Sequence, residues 1–248
     1  MNQPPPPDNF NSTSSPSPSE GTPPSAPGPV AWTANDSWLG LGALLLLTAG
    51  FLFALAQLPQ TRMSGLAALS LFEFIPLIPV AVILAYRKAS WVELGLRRFD
   101  RNALSLGCGL LVAVYILVIL NNLVMVALKI VTQADAIMEL LDEIQSPLLF
   151  AFVTAFVAPV TEELFFRGFL FQGLRAKYGW VNALMFSSII FALFHGQIAT
   201  LIPTFLLGAL FSYMVQRSGS IFPSMVLHFV VNSMGVCAML AASQFGIT

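Results

Sequence analysis

Residues 147–195 read PLLFAFVTAFVAPVTEELFFRGFLFQGLRAKYGWVNALMFSSIIFALFH, and this stretch decides the fold. Two apolar runs, 147–177 and 180–195, flank Tyr178-Gly179, a natural place for the chain to turn. A bilayer core of roughly 30 Å takes about 20 helical residues to cross. In lipid each backbone N–H and C=O must be satisfied within its own segment, so the stretch reads as an antiparallel membrane hairpin. Its few charges are concentrated: Glu162, Glu163 and Arg167 lie inside the first run, and Arg175 and Lys177 lie beside the turn.

The chain on both sides is made of the same material. Further apolar segments occupy 38–58, 64–86, 104–131, 199–216 and 221–242. The expected fold is all-α, a polytopic transmembrane bundle of about seven to eight spans. Composition agrees: of 248 residues 56% are hydrophobic and only 9% charged, where soluble domains carry about 25%. A net charge of −1 gives no basic surface for nucleic acid. Cys108 and Cys237 fall in apolar segments and read as packing residues rather than a disulfide framework. Proline at 159, 203 and 223 predicts bends.

Residues 1–35 differ. They hold ten of the 17 prolines, many serines and no Lys or Arg, and are expected to form a disordered tail. Residues 36–144 then form the N-terminal transmembrane helices, and 145–243 a second transmembrane domain. Under alternate crossing, Arg87, Lys88, Arg97, Arg98, Arg101, Arg175, Lys177 and Arg217 share the N-terminal side. Arg62 and Lys129 fall on the other side, with Asp135, Glu139, Asp142 and Glu143. The excess of base places the N-terminus in the cytoplasm, with the protein in the plasma (inner) membrane.

Ionisable groups at membrane depth are costly and point to function. The only two histidines, His195 and His228, lie in or at the end of spans, and Asn232 shares a helix face with His228. Glu162 and His195 are about equally far from the hairpin turn, about 24 Å along their helices, so carboxylate and imidazole are expected to meet. Ideal geometry leaves His228 roughly 10 Å shallower. Glu163 and Arg167, spaced i,i+4, are expected to form a structural ion pair that leaves Glu162 free. Such a set suits hydrolysis of an acyl bond by water, with Glu162 as general base and His195 orienting the water. His228 and Asn232 would donate to the oxyanion. Phe165, Phe166, Phe191 and Phe194 read as packing or cavity lining. Glu73, Asn121 and Asn122 read as helix-contact residues, with Glu73 a candidate for lining the cavity.

Glu162-Glu163-x-x-x-Arg167, Phe191-x-x-x-His195 and His228-x-x-x-Asn232, in that order, resemble the three motifs of the type II CAAX prenyl endopeptidase family, also called the CPBP or Abi family of intramembrane glutamic peptidases. The resemblance covers roughly residues 145–243. It implies an endopeptidase acting near the C-terminus of a prenylated or membrane-embedded protein, with Glu162 and His195 activating water and His228 and Asn232 stabilising the oxyanion. It implies no cofactor. Zinc held by Glu162, His195 and His228 is the alternative, although no HExxH helix accompanies it. Expected partners are the lipid bilayer and a peptide or prenylated protein substrate. Two other readings stay open: an inactive membrane partner or immunity protein of the same fold, and a proton-coupled transporter.

Overall fold

The computed structural model describes residues 27–57, 62–130 and 146–245, and among them the chain is helical without a strand. Helix α1 (Ala34–Ala56) starts at a capping box, in which Thr33 Oγ1 accepts from the Asp36 N–H and the Asp36 carboxylate accepts from the Thr33 N–H. Helices α2 (Arg62–Phe72) and α3 (Leu77–Arg87) form one span broken at 73–76. Pro76 has no N–H to continue the ladder there, a break not anticipated in the single segment 64–86. A 3₁₀ turn (Trp91–Leu94) leads to α4 (Arg101–Ala127), capped by Asp100.

The decisive stretch is one helical run, Pro147–Phe194. It comprises α5 (Pro147–Phe152), a π turn (Val153–Val157), α6 (Ala158–Glu163), a π-helix (Leu164–Phe171) and α7 (Gln172–Phe194). Gly179, at φ 78° and ψ 161°, splits α7 and makes the expected hairpin turn, a conformation only glycine adopts without strain. Helices α8 (Leu201–Ser218) and α9 (Phe222–Phe245) complete the chain. Six described runs are long and apolar enough to cross a membrane. One of them is the hairpin, so the bundle makes about seven crossings. This is an integral membrane protein.

Burial is arranged for a lipid solvent. Leu46, Phe53, Val112, Leu123 and Leu193 point outward, while Glu163, Arg167, Ser187, Ser188 and Ser212 are fully buried. All eight residues of the π-helix are buried, and Leu44, Val80, Leu84, Leu94 and Leu174 close around it. Trp32 stacks on Phe169 at 5.7 Å and donates from Nε1 to the Phe169 carbonyl at 3.0 Å. At Gly173 a Cβ would collide with Ser37 Oγ and the Trp32 ring, so the missing side chain is what lets the start of α1 reach α7. A second cluster joins α4, α8 and α9 through Leu111, Leu207, Phe211, Met214 and Leu227.

Several expectations are corrected. The tail boundary near 35 is too late: Trp32 is buried, and Arg175 Nη2 donates to the carbonyls of Pro27 and Gly28, so packed chain begins by residue 27. Residues 1–26, and the acidic set Asp135, Glu139, Asp142 and Glu143, lie outside the described residues. Pro203 and Pro223 fall in the first turns of α8 and α9, where a missing N–H leaves no bond unmade and forces no bend. Pro159 sits deep within a continuous run, directly after a π turn, a usual companion of such irregularities. Cys108 and Cys237 are exposed rather than packed.

The expected grouping of basic residues on one face is supported by long-range contacts. Arg87 pairs with Asp36 at 2.8 Å, Arg175 holds Pro27 and Gly28, and Ser220 Oγ donates to the Arg97 carbonyl at 2.7 Å. These bonds tie the starts of α1 and α9, the end of α3 and the 90–100 loop to one end of the bundle.

Candidate active site

The acidic pair sits where α6 passes into the π-helix. Glu163 and Arg167, one helical turn apart, form a fully buried ion pair with Arg167 Nη1 3.0 Å from Glu163 Oε1. The guanidinium also lies over aromatic rings, 4.1 Å from the Phe191 centroid and 5.3 Å from that of Phe211. Helix α8 comes this close because residue 208 is glycine: a Cβ there would stand 3.2 Å from both Arg167 Nη2 and the Ser188 backbone.

His228, on α9, joins this pair. Its Nδ1 is 3.0 Å from Glu163 Oε1, and its Nε2 is 3.7 Å from Glu162 Oε2. The ring stacks on Phe211 at 4.9 Å and meets Phe191 edge-on at 5.9 Å, so its plane is fixed by packing as well as by the hydrogen bond. A carboxylate oxygen accepts, so Nδ1 carries the proton and Nε2 faces Glu162. Straight-helix spacing leaves His228 about 10 Å short of the site, yet it reaches both glutamates.

Glu162 is the more accessible of the two acids, its side chain 16% exposed against 0% for Glu163. Its Oε2 accepts no hydrogen bond among the described residues and is open to a further donor. Glu73, at the break between α2 and α3, is close enough for the charge of Glu162 to act on it. Its neighbour Phe72 stacks on Phe194 at 6.2 Å, beside His195.

His195 ends α7. Its Nδ1 is 2.8 Å from the Phe191 carbonyl oxygen, which can only accept, so this ring too is protonated at Nδ1 and free at Nε2. It packs edge-on against Phe191 at 4.7 Å, so both histidines share that ring. No nitrogen of His195 lies within 4.0 Å of the Glu162 carboxylate; the histidine at that distance is His228. Asn232 donates from Nδ2 to the Thr154 carbonyl at 2.9 Å, fastening α9 to the π turn and keeping one amide hydrogen unengaged. Asn121 donates to the Ala199 carbonyl at 2.9 Å and is a helix-contact residue, as expected. Asn122 is exposed.

Among the described residues no three His, Cys, Asp or Glu side chains are grouped as metal ligands would be. Glu163 is engaged by Arg167 and His228. The contact between Glu163 and His228 is the feature that spacing missed, since 65 residues separate the two. The only signal was that a buried carboxylate has more acceptor positions than one arginine fills.

Residues 144–234 match the family described as Type II CAAX prenyl endopeptidase Rce1-like. The Rce1-like region begins just before α5 and ends within α9, so it contains Glu162, Glu163, Arg167, His195, His228 and Asn232. A longer similarity links the chain to a protein of Bacillus subtilis (strain 168) named "Putative membrane peptidase YdiL", 24% identical over 203 residues, which covers 80% of this chain and 83% of that protein. The second similarity extends beyond the Rce1-like region into the N-terminal spans. No solved structure matches significantly.

Proposed function

We propose that this protein is an intramembrane endopeptidase that hydrolyses a peptide bond near the C-terminus of a prenylated or membrane-embedded substrate, using water activated by Glu162. The observation that carries the reading is the meeting of Glu162, Glu163 and His228 inside the bundle, brought from α6 and α9. The similarity to a CAAX-type family over the same residues supports it.

Glu162 Oε2 and His228 Nε2, 3.7 Å apart, form the base of a triangle whose apex a water can occupy, hydrogen-bonded to both. Glu162 takes a proton from that water as its oxygen attacks the scissile carbonyl, and the carbonyl π electrons move onto oxygen. His195 Nε2, free and half-buried, orients the water or relays the proton. The oxyanion is stabilised by the second amide hydrogen of Asn232 and, once its ring is cationic, by the Nε2–H of His228. When the intermediate collapses the C–N bond breaks, and the proton held by Glu162 passes to the leaving amine. Glu163 and Arg167 act as positioning residues, since their pair fixes the tautomer and plane of His228. No metal enters these steps.

The basic end of the bundle faces the cytoplasm in this reading, with the protein in the inner membrane. The test is incubation of the purified protein with a farnesylated CAAX peptide and with unprenylated membrane peptides, beside Glu162→Ala and His195→Ala, with and without chelator. Cleavage lost in both variants and indifferent to chelator is the expected result. Cleavage abolished by chelator and restored by zinc would overturn the metal-free mechanism. Absence of cleavage of every peptide would leave an inactive partner of the same fold or a proton-coupled transporter.

A further inference from the structure

We propose that the cavity between the 96–101 loop and the start of α9 binds the phosphate of an anionic membrane phospholipid. The cavity, about 560 Å³, is lined by Leu96, Arg97, Arg98, Phe99, Arg101 and Phe222. Three arginines thus line it together with three apolar residues, the kinds of donor and floor that a headgroup phosphate and the adjoining glycerol would meet.

The arginines lack acidic partners of their own. Among the described residues none of Arg97, Arg98 and Arg101 forms an ion pair with a carboxylate. The acids nearby are already engaged: Glu93 accepts from the backbone N–H groups of Ser90 and Ala31, and Asp100 accepts from the backbone and side-chain amides of Asn102. A fourth guanidinium, Arg175, is close enough for the charge of Arg97 to act on it. Clustered like charges repel unless an anion lies among them.

The loop is also built rather than loose. Ser220 Oγ donates to the Arg97 carbonyl at 2.7 Å, the Ile221 N–H donates to the Gly95 carbonyl at 3.0 Å, and Leu94 is fully buried. Its place is the headgroup level, since it joins the ends of the Leu66–Arg87 and Arg101–Ala127 spans. The adjoining 3₁₀ turn presents Trp91 and Val92 outward, as interfacial anchors do. Retention of base on one membrane face explains the presence of arginines in this loop, but not that all three line one cavity with apolar residues. A bulk anion would make no use of the apolar floor or the outward Trp91, which is why a lipid is the assigned occupant.

Occupancy would bear on the bundle through Leu94, which packs where a Cβ on Gly168 would stand 3.0 Å away, beside Arg167. The inference does not rest on the peptidase reading. Its test is native mass spectrometry of the full-length protein in detergent, titrated with phosphatidylglycerol or phosphatidylcholine. The variants are Arg97→Gln, Arg98→Gln, the triple change including Arg101→Gln, and Lys177→Gln as a same-face control. Phosphatidylglycerol should be retained over phosphatidylcholine, each lost arginine weakening retention roughly fivefold, with Lys177→Gln unchanged. The single variants keep the test intact should the triple variant fail to insert. Equal retention of the two lipids, or equal loss in Lys177→Gln, would overturn the site. Displacement of phosphatidylglycerol by equimolar inorganic phosphate would overturn the lipid assignment.

Discussion

His228 and Glu163 lie 65 residues apart in sequence, and their side chains meet at 3.0 Å, imidazole Nδ1 to carboxylate Oε1, in a fully buried contact that also holds Arg167. The carboxylate therefore has two partners: it neutralises the guanidinium and it sets which imidazole nitrogen faces Glu162. A change at Glu163 should be felt in both folding and chemistry.

Glu163→Gln keeps the volume but removes the charge. Arg167 is left buried without a counter-ion, which costs about 3–5 kcal/mol, and His228 can adopt the other tautomer. Abundance in membranes, followed by quantitative blot, should fall well below wild type. Any purified remainder should cleave peptide about 10² or more slower. Wild-type levels of both would contradict the double role.

Arg167→Ala and His228→Ala should separate folding from chemistry. The first leaves Glu163 charged and buried and removes a guanidinium packed on Phe191 and Phe211, so abundance should collapse. The second leaves the Glu163–Arg167 pair intact, so abundance should hold while cleavage fails. Equal abundance of the two variants would refute the structural role of the arginine.

Gly208→Val places a branched side chain against Arg167 Nη2 and the Ser188 backbone, both 3.2 Å from even the first added carbon. The Ser188 backbone cannot swing away, so α8 must shift. A loss of about 1–3 kcal/mol is expected, visible as a lower midpoint in thermal unfolding in detergent. An unchanged midpoint would mean that α8 does not approach α7 as described.

Asn232→Ala removes the bond to the Thr154 carbonyl, whose loss should cost about 1 kcal/mol. If its second amide hydrogen also serves the oxyanion, the rate should fall by more than stability explains. A rate lowered only as far as the lost stability accounts for would confine Asn232 to fastening the π turn.

Much of the fold was legible because lipid imposes one rule, that every span be a helix. The 147–195 stretch gave the hairpin and its turn at Gly179, and the i,i+4 spacing gave the Glu163–Arg167 pair. Local rules failed where the backbone departs from the ideal α-helix. The π segments at Val153–Val157 and Leu164–Phe171 carry no obvious signal in composition, and they change which faces are presented. Spacing along straight cylinders therefore paired Glu162 with His195 and held His228 back, whereas the contact found is between Glu162 and His228. Proline bends a helix only inside it: at 203 and 223 it lies in the first turns of helices, and the break falls at 73–76 instead, beside Pro76. Ring packing on Phe191, which gathers both histidines, depends on tertiary approach and was beyond sequence reasoning.

The most direct measurement is single-turnover cleavage of a farnesylated CAAX peptide by bilayer-reconstituted protein, with products weighed by mass spectrometry, for wild type and for Glu162→Gln at equal folded amounts. The account predicts release of the C-terminal fragment by wild type, at a rate at least about a hundredfold above that of the variant. Equal rates for the two, or an intact peptide with wild type, would contradict it.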